Sequence, residues 1–366
     1  MKKLLLSVLA LVFAVGFTFA QTNDADVMQG GSNTSADVTQ TNNGGVAGQD
    51  NTATIDVSGN DSDMDIEQTL GSGSTKDGKD NTATIISSGG NSVGSITQNN
   101  NKGGGAFIAD INQTDGNNSA TVNQRGNGLT TADVDQSVGN ATVTIEQIHG
   151  DGGKPVDAIV DQSGANTADI YQKNRNLDVT LNQTNTAGAS GVANEANIAQ
   201  GFNAGKVVGA DATVTQNGEA NFVDLDQDRV TSTFSHRATL NQQGSGNRIE
   251  LQQDGKNSDD KTTANVDQIG DDNRLEGIGG GQAFQDRGAS LDADVNGSNN
   301  LIQMEQGELS TATLTQDGDW NEINMDQASN STVIVDQDAI GGTPTNSNTA
   351  TITSSDGSVN ITQTNN

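Results

Sequence analysis

The chain has 366 residues, a formal net charge of −30 and no cysteine. Acidity on that scale excludes nucleic acid and anionic lipid as partners held by bulk electrostatics, and the missing cysteine excludes a disulfide framework. Aromatic residues make up 3% and there are two prolines, a composition that reads as disorder unless periodicity overrides it.

Residues 1–20 read as a secretory signal peptide. Lys2 and Lys3 form a basic start, Leu4 to Phe19 is apolar, and Thr18-Phe19-Ala20 is a cleavage site before Gln21. The expected mature chain, 21–366, is exported and has no membrane span.

From Asn23 onward one pattern repeats. Aligned on its last residue, it closes at Gln29, Gln40, Val57, Gln68, Ser87, Gln98, Gln113, Gln124, Gln136, Gln147, Gln162, Gln172, Gln183 and Gln200. It continues through Gln216, Gln227, Gln242, Gln253, Gln268, Gly279, Gly297, Gln306, Gln316, Gln327, Gln337, Ser354 and Gln363. Two residues before each closing position stands an aliphatic side chain, with Gly277 as the exception; four before, alanine is frequent. Six before, asparagine recurs, as at Asn51, Asn81, Asn118, Asn166, Asn194, Asn221, Asn247 and Asn321. A period of two puts these side chains on one face of a β-strand, with Thr, Asp, Asn and Glu on the other. Of the 27 units, 22 end in glutamine, too regular a pattern for a disordered chain.

Short connections such as Ser163-Gly164-Ala165 alternate with longer polar arcs such as Gly71 to Asp80. The unit is therefore strand, turn, strand, arc. One such rung cannot bury its own thin apolar face, whereas a stack of rungs can. The expected fold is all-β: a β-solenoid of about 13 strand-turn-strand rungs forming two stacked parallel sheets, cross-β-like, on the order of 60 Å long at the usual strand spacing. Pairing slips near 172–200 and after Gln327, and 270–294 reads as a degenerate rung or bulged loop. Alanine in one strand and a bulkier residue in the next, as Ala212 and Val223, lets two sheets interdigitate.

Inward amides need partners. In a stack each can donate to one neighbouring rung and accept from the other, so the expected ladder members are Gln29, Gln40, Gln68, Gln98, Gln113, Gln124, Gln136, Gln147, Gln162, Gln172, Gln216, Gln227, Gln242, Gln253, Gln316, Gln327 and Gln363, with Asn51, Asn81, Asn166, Asn221, Asn247 and Asn321. The expected first and last strands, ending at Gln29 and Gln363, carry no visible cap, and an open strand edge templates another chain.

The spacing Gln-x-Gly-x-x-Asn-x-(apolar)-x-x-x-Gln occurs in full at Gln216, Gly218, Asn221, Val223, Gln227; at Gln242, Gly244, Asn247, Ile249, Gln253; and at Gln316, Gly318, Asn321, Ile323, Gln327. It resembles the curlin repeat of bacterial curli fibre subunits, and its weaker half covers most of 23–363. The resemblance implies a secreted functional amyloid that polymerises into extracellular or cell-surface fibres for biofilm matrix, adhesion and cell aggregation. It also implies a nucleating minor subunit, a periplasmic chaperone and an outer-membrane secretion channel as partners besides the chain itself. The chain departs from the family in its many repeats and in lacking a glycine-rich leader.

No catalytic, cofactor or metal motif is read. His149 and His236 are expected as solvated surface groups; Asp61 with Asp63 and Asp133 with Asp135 are only weak Ca²⁺ candidates. Trp320 sits in a turn and Tyr171 faces outward. The alternative is a monomeric acidic β-solenoid that acts as an adhesin or binds a ligand, ice included, at its surface.

Overall fold

A computed structural model describes residues 23–365 apart from connections at 31–33, 44–49, 59–61, 72–79, 89–90, 101–104, 116, 150–154, 186–190, 202–207, 229–235, 256–260 and 340–346. The signal-peptide expectation lies outside the described residues.

Twenty-seven strands and no helix are present among them, and every strand pairing is parallel. One stack begins with Asn23–Gln29 and runs through Asn51–Val57 and Asn81–Ser87 to Ser331–Ala339 and Gly357–Asn365. The second begins with Ser35–Asn42 and runs through Asp63–Leu70 and Val93–Asn100 to Glu322–Gln327 and Thr349–Ser354. Strand Asn166–Thr184 serves both stacks, bending at Asn174 and Asn176, both at positive φ. Conversely Arg274–Glu276 and Ala283–Gln285 together make a single rung strand. Counted this way the stacks hold 14 and 13 strand segments, close to the expected 13 rungs.

Burial follows the period of two. Strand Asn51–Val57 alternates buried and half-buried side chains without a break. Between the stacks the aliphatic and alanine columns fuse into one core from Ala53 to Ile352, with Val359 and Ile361 partly buried at its end. Most strands contribute two apolar side chains, Gly94 standing in for one of them in Val93–Asn100, so the core is thin but uninterrupted.

Two expected positions shift. The degenerate segment closes at Gln285, paired with Gln253, and not at Gly279. Seven residues, Glu276 to Gln282, oppose the single Glu250, and the excess leaves the sheet as a glycine-rich bulge. Downstream, Gln268 is opposed by Val295 and not by Gly297, which sits in the following turn at φ +119°.

Candidate functional site: the amide columns and the stack ends

Pairing in register places like on like, so an inward amide finds another one rung away. In the second stack this produces one unbroken glutamine column. Gln40 Nε2 donates to Gln68 Oε1 at 2.9 Å, Gln68 to Gln98 at 2.9 Å, and Gln98 to Gln124 at 2.9 Å. The chain of donors then passes through Gln147, Gln172, Gln200, Gln227, Gln253, Gln285 and Gln306 to Gln327. Every amide points the same way, N–H toward the C-terminal end. The other proton goes to backbone: Gln68 Nε2 also reaches the carbonyls of Thr52 and Asn81, one in the rung it shares and one in the next. Each second-stack glutamine thus lies half a rung above one first-stack strand and half a rung below the next.

The first-stack column is broken. Gln113 to Gln136, Gln162, Gln183, Gln216, Gln242 and Gln268 is continuous, and so is Gln316 to Gln337 to Gln363. Ser87 precedes the first run and Val295 separates the two. Neither residue carries an amide, and Oε1 of Gln113 and Oε1 of Gln316 are buried without a donor among the described residues. The side chain of Gln29 lies outside the described residues. Val295→Gln should supply the missing member, accepting from Gln268 and donating to Gln316. We expect a gain of about 1–2 kcal/mol, read as a raised unfolding midpoint; a lowered midpoint would mean the core there has no room for the amide.

The asparagines divide into two kinds. Asn51 and Asn81 form a short amide column with Asn23, donating toward the N-terminus at 3.2 and 3.1 Å. It stops at Phe107, which takes the same position one rung on, and Oδ1 of Asn81 is left without a partner. Further along this corner Val156, Leu177 and Ala210 make a small apolar cluster. In the second stack Asn194 Nδ2 donates to Asn166 Oδ1 at 3.0 Å. Asn221 Nδ2 donates in turn to Asn194 Oδ1 at 3.2 Å, and from Asn221 onward the contacts change to amide–backbone. Asn221 Oδ1 accepts from the backbone N–H of Asn247 at 3.1 Å, and Asn221 Nδ2 donates to the Gly244 carbonyl at 2.8 Å. Asn247, Asn273 and Asn300 repeat this pair of bonds onto the next rung, and Asn321 ends the series by donating to Asp317 O. For Asn247 the expected stacking of amide on amide is therefore replaced by a clamp on the neighbouring turn; Asn221 keeps its amide bond to Asn194 beside the clamp, and the Asn321 side chain donates only within its own turn, its Oδ1 without a donor among the described residues.

The histidine expectation is corrected. His149 and His236 are buried at strand ends, because a stack covers its corners with the next rung. His236 Nε2 lies 3.3 Å from the Asp228 carbonyl oxygen, and burial drives its pKa down to about 4. Asp228, which also acts on His236, belongs to a cluster of carboxyls. Burial first, then Asp228, Asp224 and Asp254, push Asp226 up to about 6. Gln282 of the bulge hydrogen-bonds Asp224. Asp133 is raised by burial and by Asp135 and Asp110; Asp61 lies outside the described residues. Among the described residues no group of three or more His, Asp or Glu side chains is placed to hold a metal ion.

These two groups act in opposite senses. Folded Asp226 keeps its proton up to about pH 6, whereas the unfolded carboxyl loses it near 3.9, so its contribution is full below about pH 4 and lost as pH rises to 6. Folded His236 resists protonation down to about pH 4, so its contribution is full above about 6.5 and lost as pH falls. Asp226→Asn should therefore gain on the parent protein between pH 4 and 6, by about 1–2 kcal/mol after solvent screening of a partly exposed group. Urea midpoints at pH 4, 5, 6 and 7 measure it; parallel curves would refute it.

The outward faces carry the charge. Asn–Asp pairs stack along the first face, as Asn112 on Asp135 at 3.0 Å and Asn241 on Asp267 at 2.8 Å. Arg248 lies over Phe222, 4.1 Å from the ring centroid, and pairs with Glu250. Tyr171 faces outward over Ala199, leaving a shallow dip between Glu146 and Asp224. Trp320 occupies a turn with φ +63°.

At the ends, Asn23–Gln29 and Ser35–Asn42 are each paired on one side only among the described residues, as are Thr349–Ser354 and Gly357–Asn365. Core columns surface there: Val27 is 42% exposed, and Val38, Val359 and Ile361 are only partly buried. Gln40 Oε1 has no donor among the described residues. Gln363 Nε2 donates to Thr349 O at 3.2 Å, and its other proton has no acceptor among them. No known protein family, curated protein or solved structure matches this chain.

Proposed function

We propose that the chain is a curli-like structural subunit: an exported, non-enzymatic protein that stacks end to end into extracellular amyloid fibres for matrix, adhesion and cell aggregation. The observation that supports this reading is the pair of half-finished ends. Among the described residues each ends in strands paired on one side, half-covered core columns and an amide with one bonding position unfilled. Those deficits match: a donor faces out at one end and an acceptor at the other. Open, complementary edges of this kind drive non-closing association into fibres. The acidic outward faces would oppose side-by-side clumping while leaving the axial contact free of like charge. A nucleating subunit, a periplasmic chaperone and an outer-membrane channel remain part of the proposal through the curlin resemblance alone.

The purified chain decides it. Thioflavin T fluorescence should rise after a lag, pre-formed fragments should abolish the lag, and fibres should give a meridional reflection near the interstrand spacing, roughly 4.8 Å. A monomer that persists with β circular dichroism would replace this reading with the monomeric surface-binding solenoid.

A further inference from the structure

Both described end strands of the solenoid, Asn23–Gln29 and Gly357–Asn365, belong to the same stack. The number of strand segments is therefore odd, 14 against 13, and this has a geometric consequence for stacking one copy on another. Second-stack strands sit half a rung above their first-stack partners, as the dual backbone bonds of Gln40 to Asp24 and Asn51 and of Gln68 to Thr52 and Asn81 require. Suppose a second copy is added to the C-terminal end in the same orientation. Its Asn23–Gln29 pairs on Gly357–Asn365, and its Ser35–Asn42 then lies two rungs, roughly 10 Å, from Thr349–Ser354. That is too far to hydrogen-bond and leaves a slot one strand wide in the second stack at every junction. The core beside Ile361 would face that slot.

We infer that successive copies are related by a half-turn about the long axis, so that the first stack of one copy continues as the second stack of the next. This rests on the end-to-end assembly proposed above. Strands of the two stacks run in opposite directions across the core, because a turn joins them, and a half-turn exchanges both their positions and their directions. Asn23–Gln29 of the second copy then adds to Thr349–Ser354, half a rung above Gly357–Asn365. Ser35–Asn42 adds to Gly357–Asn365. No slot remains.

The amide chemistry closes in the same arrangement. Within the unbroken runs a first-stack glutamine typically donates one proton to a second-stack carbonyl below it and one to the next glutamine, as Gln337 does to Glu322 O and Gln363 Oε1. Gln363 has the first of these bonds, to Thr349 O, and no acceptor for the second among the described residues. After a half-turn that acceptor is Oε1 of Gln40 in the second copy. Gln40 itself already donates to Asp24 O and to Gln68 Oε1, so it joins the column with its usual bonds intact. Ile361 would cover Val38 and Val359 would cover Ala36, the four partly buried side chains flanking the core.

The register is testable because the chain has no cysteine. With a half-turn, outward Thr362 lies beside Thr39 of the next copy, and Asn360 beside Asp37. Without it, Thr362 lies beside Met28, and Asn360 beside Asp26. Adjacent strands hold Cα atoms within disulfide range, about 4.4–6.8 Å. Thr362→Cys protein co-assembled with Thr39→Cys protein and then oxidised should give disulfide-linked dimers. The yield should be at least about tenfold that from Thr362→Cys with Met28→Cys; Asn360→Cys with Asp37→Cys against Asp26→Cys provides a second pair, in case one cysteine impairs assembly. Fibres in which the Met28 and Asp26 pairs dominate overturn the half-turn and leave end-to-end assembly standing. Fibres with neither cross-link overturn direct strand-on-strand joining, and a parent chain that forms no fibre overturns both.

Discussion

Gly244→Val is expected to cost at least about 4 kcal/mol, read as a large drop in the urea midpoint or as failure to accumulate folded protein. Gly244 closes its strand at φ +117°, a backbone that L side chains rarely adopt. A Cβ there would stand 2.7 Å from the carbonyl carbon of Gly270 and closer still to its oxygen. Both groups are backbone, so a rotamer change cannot relieve the contact. The Gly270 carbonyl is also the acceptor for Asn247 Nδ2 at 2.7 Å, so moving it breaks the clamp of the same rung. Gly218 makes the same approach to Gly244, which shows the constraint to be columnar. The control is Gly280→Ala in the bulge, at φ +86° with nothing within 4 Å of the added atom. It should cost only the left-handed backbone penalty, about 1–2 kcal/mol. Equal costs at the two sites would show that stacking contributes nothing to the glycine requirement.

Gln227→Leu should be the most damaging change of a single inward side chain that leaves volume nearly intact. Gln200 would lose its acceptor at 2.8 Å, Gln253 its donor at 2.8 Å, and the Asp211 carbonyl its contact at 3.2 Å. A buried polar group left unpaired costs about 1–3 kcal/mol, so two orphaned amides bring the expected loss to about 3–5 kcal/mol. Exposed Thr213→Ala, on the outward face, should stay within about 0.5 kcal/mol. Urea titrations of both variants beside the parent chain give the comparison. A Gln227→Leu protein as stable as Thr213→Ala would mean that the aliphatic columns alone hold the rungs.

How much of this was readable beforehand depends on which interaction each residue makes. The alternation at Asn51–Val57 and the recurrence of glutamine announced strands, faces and stacking, because period two and like-on-like pairing are local facts repeated many times. The stacking of Asn221 on Asn194 was readable in the same way, but the clamps of Asn221 and Asn247 onto the next turn were not. Their partners are a backbone N–H and a turn carbonyl whose positions depend on how far each rung is offset. Gln285 was passed over because the extra residues of the bulge moved it out of the counted spacing, although Ala283-Phe284-Gln285 keeps the apolar-x-Gln form. The broken column at Val295 was hidden by Gly297, a plausible closing residue two places on. His149 and His236 looked like loop residues, since a linear sequence does not show that the rung above will roof a corner. The raised pKa of Asp226 was readable only in part: Asp228 and Asp224 flank it in the sequence, but the burial that dominates the shift and the smaller push from Asp254 come from the stacking.

The second-stack glutamines have one further property. Their amides, from Gln40 to Gln327, all point in one direction. Successive peptide groups of a strand point up and down the long axis in alternation and nearly cancel, but aligned side-chain amides add head to tail and polarise one another. The column therefore behaves as a macrodipole laid through the core, positive toward Gln327 and negative toward Gln40, as the peptide groups of a helix do. A rod built this way has two chemically different tips, and its direction can be read from either one.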